Sequence, residues 1–294
     1  MKIMLIGAGG QLGSDLVTVL PAETTVPQTH ADIEITDPRS VQAAFEQHRP
    51  DVVINTAAFH RVDDCESQME RTFQVNTFAV RGLAQACKQF GAVLVHFSTD
   101  FVFAGEKREP YVETDRPGPL SVYAASKLAG EYLVAATLER HFLIRTCGLY
   151  GLGGSRSKGG NFVETMLRLA AQGKTIRVVA DQTVTPTSTA ELARKVAQLI
   201  GTEAFGLYHV TNNGSCTWFE FAQAIFELSG VKADLQPTTS AAFGAPARRP
   251  AYSVMRHQKL ESLGLDDMPL WKESLRRYLA ARAQASVEAA CSGT

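Results

Sequence analysis

The sequence predicts an α/β fold, a doubly wound parallel sheet with a smaller C-terminal lobe. Three observations carry that reading. Short apolar runs alternate with helix-patterned segments through the first 150 residues. The first of those runs ends directly in a cluster of glycines. After residue 150 the alternation loosens, beginning with a stretch rich in Gly, Ser, Lys and Arg.

Residues 2–6 form a short apolar run bounded by a turn signal, which suits a strand covered on both faces. Residues 11–20 have helical spacing, and residues 51–55 (DVVIN) are a second buried-strand run. Residues 71–91 read as a helix with Phe73, Leu83, Ala84 and Cys87 on its apolar side and Gly91 as its stop. Residues 92–98 are a strand running into Thr99 and Asp100, residues 121–136 a helix and residues 142–145 a strand. Beyond Tyr150 a mobile loop is expected over 151–160, with helices over 161–172, 188–200, 217–229 and 271–283. Strands are expected over 176–179 and 207–211, turns over 237–250, and a frayed tail over 286–294. The expected division is a large domain over 1–150 with a return segment at 178–210, and a lobe built from 151–177 and 211–285. Trp218 and Phe219 are assigned to the core of that lobe.

Bulk properties exclude several classes. The 294 residues give ample length for a buried core, and 45% hydrophobic with 20% charged residues is ordinary for a globular protein. A net charge of −1 gives no electrostatic reason for a nucleic-acid or anionic-membrane partner. Five cysteines occur without a C-x-x-C spacing, so no zinc site or redox pair is expected. Scattered thiols, an N-terminal apolar run too short for a signal core and no bilayer-length segment place the protein in the cytoplasm by expectation.

Gly7-Ala8-Gly9-Gly10-Gln11-Leu12-Gly13 follows a strand and opens a helix. Gly7 allows the tight turn, Gly10 lets the backbone approach a pyrophosphate, and Gly13 permits close packing of helix on strand. The helix start presents free N–H groups and a positive dipole end to phosphate. The fold reading therefore becomes a Rossmann-like, dinucleotide-binding one. The next strand end, Thr25 to His30, has neither the acid that holds a ribose diol nor an arginine for a 2′-phosphate. Use of both cofactors follows, with a modest tilt to NADPH over NADH. Glu34 and Asp37 come slightly later. An acid there suits an adenine amino group, and Asp37 before Pro38 also suits a helix cap.

Tyr123 and Lys127 are four residues apart and so share one helix face. An ammonium beside a phenol lowers a pKa that starts near 10 and tunes it for proton transfer. Ser98-Thr99-Asp100 ends a strand upstream, where parallel sheets bind ligands, and a hydroxyl there can reach a substrate carbonyl.

The glycine loop, the run Ser98-Thr99-Asp100-Phe101-Val102-Phe103 and Tyr123-Ala124-Ala125-Ser126-Lys127 resemble the extended short-chain dehydrogenase/reductase superfamily, and within it the dTDP-4-dehydrorhamnose reductase family. The resemblance spans nearly the whole chain, through Asn55-Thr56-Ala57-Ala58-Phe59, Val62-Asp63, Val75-Asn76, Gly160-Asn161-Phe162, Thr185-Pro186-Thr187 and Ala247-Arg248-Arg249-Pro250. It implies reduction of the C4 ketone of a nucleotide-activated deoxy sugar. Thr99 would polarise the ketone, Tyr123 protonate the alkoxide, and Lys127 bond the nicotinamide ribose. Gly7, Gly10, Gln11, Leu12 and Gly13 would serve the pyrophosphate side, Glu34 and Ile35 would flank adenine, and Ala57, Ala58 and Phe59 would line the middle of the cofactor. Thr99, Asp100, Phe101, Gly148, Asn161 and Arg249 are the substrate-binding set, Arg249 because guanidinium matches a diphosphate. Asn76 is read as backbone support.

The sequence departs from the family pattern at three places: Phe101 replaces a usual tyrosine, Ala104-Gly105 a usual Asp-Gly, and Gly148 a usual tryptophan. His60 is read as a loop hydrogen-bonder. Asp63, Asp64 and Glu66 are spaced as the first turn of a helix rather than as metal ligands, so no metal is expected. The expected partner is a nucleotide sugar, and a homodimer is compatible with the resemblance. Two other activities stay open: a sugar-nucleotide epimerase or dehydratase of the same superfamily, and a non-catalytic regulatory subunit that binds the dinucleotide.

Overall fold

In a computed structural model the described residues are 1–153 and 160–292, with side chains described through residue 285. The centre is a parallel sheet of six strands: β1 (Ile3–Ile6), β2 (Thr25–Gln28), β3 (Val52–Asn55), β4 (Val93–Thr99), β5 (His141–Thr146) and β6 (Gly206–His209). Their spatial order is β6-β5-β4-β3-β1-β2, and every neighbouring pair is parallel. The doubly wound fold predicted from the strand–helix alternation is thus the one observed. The chain leaves β1 toward one edge and returns to its other side as β3, so the topological switch point lies between β1 and β3. β2 is the edge, which is why it tolerates Pro27, a residue without a ladder donor.

The period of two within each strand divides the core. Ile3 and Leu5 of β1, Val52 and Ile54 of β3 and Phe142 and Ile144 of β5 face one layer, where Leu12, Leu16, Leu192, Val196 and Leu199 cover them. Met4, Ile6, Val53, Leu94 and Leu143 face the other, against Phe45, Val80, Leu83, Cys87 and Val134. Each such side chain contributes about 1.5–3 kcal/mol by leaving water. The second layer comes from helices Pro38–His48, Ala79–Phe90 and Val122–Thr137.

Four sequence expectations are revised. The helix expected over 71–91 is interrupted: Met69–Phe73 is α-helical, Gln74–Phe78 is a π-helical turn, and Ala79–Phe90 resumes the α-helix before Gly91 caps it. The return segment does not begin at 178, because Ile176–Val179 pairs with Leu235–Thr238 inside the lobe. It is helix Thr189–Leu199 and β6 that rejoin the large layers. Leu260 and Met268, assigned to the lobe, are buried in the large core beside β6. The last helix runs Trp271–Ser292, so most of the backbone expected to fray is helical. The side chains of 286–294 and the 154–159 part of the expected mobile loop lie outside the described residues. The lobe core gathers Tyr150, Val163, Met166, Ile176, Val178, Phe221 and Ile225, with Trp218 and Trp271 against it.

One buried ion pair ties the site helix to the sheet. Glu131 on helix Val122–Thr137 accepts from Arg145 Nε at 2.9 Å and Nη2 at 2.7 Å, both side chains nearly fully buried. Removing one partner strands the other's charge. Glu131→Met is expected to cost about 3–5 kcal/mol, read from the midpoint of urea unfolding. A loss within the usual surface range would show that Arg145 finds another partner.

Candidate active site

The site lies at the C-terminal ends of β1, β3, β4 and β5, where the chain turns from strands into helices. After β1, Gly7 adopts φ +82°, and its N–H and that of Ala8 both donate to the Gln28 carbonyl, at 2.8 and 3.1 Å. Those two donors are therefore used within the loop. Gly10 caps helix Gln11–Val19 with extended backbone. The first N–H groups of that helix have no partner within it and face outward as an anion site. A Cβ at Gly13 would overlap the Gly7 carbonyl oxygen, so close packing of helix on strand depends on glycine there. Leu12 is buried, leaving only its backbone for a ligand. Gln11 donates through Nε2 to the Leu149 carbonyl at 3.0 Å, while its buried Oε1 has no partner. An open helix start, a tight glycine turn and an orphaned acceptor beside it fit a dinucleotide.

On the adenosine side, Glu34 accepts from Thr36 N and Oγ1 at 2.9 and 2.7 Å, and those bonds hold its carboxyl below the usual range. Ile35 points into the core, so only its backbone can flank a base. Asp37 caps helix Pro38–His48 by accepting from Arg39 N at 2.9 Å. Arg71 was missed in the sequence: its guanidinium stands 5.2 Å from the centre of the Phe59 ring, and its charge reaches Glu34. Ala57, Ala58 and Phe59 follow β3 and are half-buried. Asn76, in the π-helical turn, clamps Phe59 from both sides. Its Oδ1 accepts from Phe59 N and its Nδ2 donates to Phe59 O, each at 2.9 Å. The same Nδ2 donates to Ser126 at 3.1 Å, tying the cofactor-side loop to the tyrosine helix.

Tyr123 sits in the first turn of helix Val122–Thr137, capped by Ser121. Its phenol lies near Thr99, whose hydroxyl favours the phenolate. Phe101 packs edge-on against its ring at 6.2 Å. Thr99 also contacts Asp100 Oδ1 at 3.1 Å and accepts from Phe101 N at 3.2 Å. The expectation that Lys127 lowers the Tyr123 pKa is not what this structure shows. Burial, then the Asp100 charge, push the phenol up, and the Thr99 hydroxyl opposes them. Lys127 instead reaches His96, with Nζ 3.1 Å from Nε2. Burial pulls its pKa down to about 8. The phenol is thus held protonated, the form that gives a proton.

The substrate-side set is divided. Asp100 is fully buried and accepts from Ser253 Oγ at 2.5 Å and Cys147 Sγ at 3.0 Å, so it acts behind Thr99 and offers no face to solvent. Gly148 has φ +55°, and a Cβ there would meet Pro186 Cα at 3.2 Å and Trp218 Cη2 at 3.3 Å. A larger side chain at this place would be strained by the left-handed backbone and would need Pro186 and Trp218 to give by a few tenths of an ångström. Asn161 spends its amide on capping helix Phe162–Ala171 and on donation to Gly151 O at 3.0 Å and Tyr278 Oη at 3.3 Å. Arg249 pairs with Asp63 at 2.9 Å and donates to Ala247 O at 3.0 Å, which joins the lobe to helix Val62–Ser67. Cys65, Cys87, Cys147 and Cys216 are buried thiols. Among the described residues no cluster of metal-ligating side chains occurs, and no helix is long and apolar enough to cross a membrane.

Fold and site together define the class, an NAD(P)-dependent oxidoreductase of the short-chain dehydrogenase/reductase type. The chain belongs to the RmlD substrate-binding-domain family, whose model matches residues 1–284. It is 41% identical to the spore coat polysaccharide biosynthesis protein SpsK of Bacillus subtilis, over 97% of this chain and 99% of that one. It is also 41% identical to a dTDP-4-dehydrorhamnose reductase of Streptomyces griseus, over 92% and 91% of the two chains. A crystal structure of dTDP-4-dehydrorhamnose reductase from Bacillus anthracis in complex with NADP superposes with a TM-score of 0.91. That pair is 39% identical and covers 96% of this chain and 100% of the other.

Proposed function

We propose that this protein reduces the C4 ketone of a dTDP-activated 4-keto-6-deoxy sugar, with NADPH as reductant and Tyr123 as proton donor. The observation that carries this reading is the placement of Thr99 beside the Tyr123 phenol at the end of β4, on the same end of the sheet as a glycine turn built for a dinucleotide. The relatives named above supply the substrate class: one is a dTDP-4-dehydrorhamnose reductase, and another is crystallised with NADP.

NADPH, when bound, supplies the hydride. Gly7, Gly10, Gln11, Leu12 and Gly13 hold its pyrophosphate at the helix start. Ala57, Ala58 and Phe59 line its middle, and Glu34 and Ile35 flank its adenine. Thr99 Oγ1 orients the ketone oxygen. Tyr123 gives that oxygen its proton as charge develops there, and Lys127 bonds the nicotinamide ribose. Arg249 meets the diphosphate of the sugar nucleotide, while Phe101 and Gly148 shape the wall around the sugar. Asp100 and Asn161 act through Thr99 and through the helix cap. The dehydratase alternative needs a second acid–base group beside the sugar. Phe101 has no proton to exchange, and Asp100 is sealed behind Thr99 by Ser253 and Cys147. The protein works as a cytoplasmic biosynthetic enzyme on this reading. The test is oxidation of NADPH in the presence of nucleotide 4-keto-6-deoxy sugars.

Cofactor choice follows from the strand end. Gln28 is buried and turned onto the Pro27 carbonyl, and His30 is exposed and pairs with Glu34 at 3.5 Å. None of these repels a 2′-phosphate, and none clamps it. Both cofactors are expected to work, NADPH modestly better, in steady-state kinetics with each. A specificity ratio above about 10³, roughly 4 kcal/mol, would contradict this and mark a clamp. Arg71→Ala narrows the ratio if that arginine supplies the tilt.

A further inference from the structure

The lysine beside the tyrosine is embedded in a chain of buried polar groups that the proposed reaction does not use. Asn55 ends β3 and His96 lies in β4, and the parallel register sets them side by side. Both are about 1% exposed, and Lys127 is 2% exposed. Asn55 and His96 Nδ1 are 3.2 Å apart, and His96 Nε2 is 3.1 Å from Lys127 Nζ.

The orientation of this chain is fixed at its far end. Asn55 Oδ1 accepts from Ala57 N at 3.1 Å. Turning the amide over would set its NH₂ against that N–H, donor against donor, in a place without solvent. Asn55 therefore presents Nδ2–H to His96 Nδ1, which must accept. In a neutral imidazole the other nitrogen then carries the proton. Burial and the Lys127 charge keep His96 neutral, well below its usual pKa.

We infer that His96 is a positioning residue that turns an Nε2–H donor onto Lys127 Nζ, so that the lysine faces a donor and releases its proton more readily than burial alone dictates. The ammonium form would meet that N–H head-on. Relief requires moving the histidine proton to Nδ1 and turning Asn55 over, which breaks its bond to Ala57. The proton on Lys127 is thereby coupled to the backbone of the cofactor-lining segment.

The other groups around Lys127 do not supply this effect. Glu131, one turn on, favours the ammonium but is engaged by Arg145 of β5. Tyr123, one turn back, is held protonated by burial beside Thr99, and Asp100 lies beyond it. Asn76 and Thr77 bond Ser126 and carry no charge.

The significance of Lys127 for catalysis rests on the function proposed above; the histidine tautomer does not. The experiment is NMR of the cofactor-free protein labelled with ¹⁵N in histidine and ¹³C in lysine, assigned with Lys127→Met. Above the Lys127 midpoint, His96 is expected to be protonated at Nε2 and bare at Nδ1. The Lys127 midpoint is expected below the value near 8 at which burial places it, and to rise by about one pH unit or more in His96→Leu. An Nδ1–H tautomer above that midpoint overturns the inference, and so does a midpoint unmoved in His96→Leu. The tautomer is read in the unaltered protein, so a His96→Leu chain that fails to fold leaves a decisive result. Neither reading needs substrate, so their failure is separable from failure of the reductase assignment.

Discussion

Tyr123→Phe is expected to keep its fold and its cofactor while turnover falls by a factor on the order of 10² to 10⁴, the usual share of general acid catalysis. The substitution removes a single oxygen. The ring stays packed against Phe101, and the helix keeps its Ser121 cap and its bond from Ser126 Oγ to the Tyr123 carbonyl at 2.7 Å. What disappears is the phenol beside Thr99, which burial keeps protonated. Stopped-flow turnover alongside cofactor titration separates the two effects. Turnover within a few-fold of the unaltered protein would remove Tyr123 from the mechanism.

Gly10→Val is expected to weaken NADPH binding by about 10²-fold or more, roughly 2.7 kcal/mol, while circular dichroism stays native. The backbone at Gly10 is extended, with φ −85°, a conformation any residue adopts. A Cβ there meets only the Gly7 carbonyl, at 3.2 Å, a tight contact that a shift of a few tenths of an ångström relieves. The branched side chain then stands at the helix start where phosphate oxygens must reach the N–H groups. Gly13→Val provides the contrast. It forces the helix away from Gly7 and should destabilise the chain itself, lowering the melting temperature. Cofactor affinity unchanged in Gly10→Val would make the glycine loop a structural turn only.

How far the sequence foretold all this depends on where each interaction is decided. β1, β3, β4 and β5 were readable because strands buried on both faces show as unbroken apolar runs, such as Ile3–Ile6 and Val52–Asn55. The glycine loop was readable because its turn, helix start and packing contact are all local. The edge strand β2 was faint, because only one of its four residues is buried. The π-helical turn at Gln74–Phe78 left no trace in composition, since its residues suit a continuous helix. Within it Asn76 bonds both Phe59 and Ser126, partners that only the folded chain brings together.

The same division holds at the site. Tyr123 and Lys127 share a helix face by spacing alone, so their pairing was visible. The partner of Lys127 was not, because it depends on the register that sets β3 beside β4. A signal did exist: Asn55 and His96 are polar residues inside otherwise apolar strand runs, and buried polar groups imply partners. Asp100 looked available at a strand end, yet Ser253, more than a hundred positions away in sequence, closes over it. Arg249 was chosen for its charge, and only the folded chain reveals that Asp63 already shares it.

The central claim is tested most directly by mixing the purified protein with NADPH and dTDP-4-keto-6-deoxy sugar and following the ultraviolet absorbance of the reduced cofactor. The account predicts oxidation of one NADPH for each ketone consumed, a C4 alcohol as product, and loss of both in Tyr123→Phe. Conversion of the sugar with no net oxidation of NADPH would contradict it and point to an epimerase or dehydratase. No conversion with any nucleotide keto sugar, despite tight cofactor binding, would contradict it in favour of a regulatory protein.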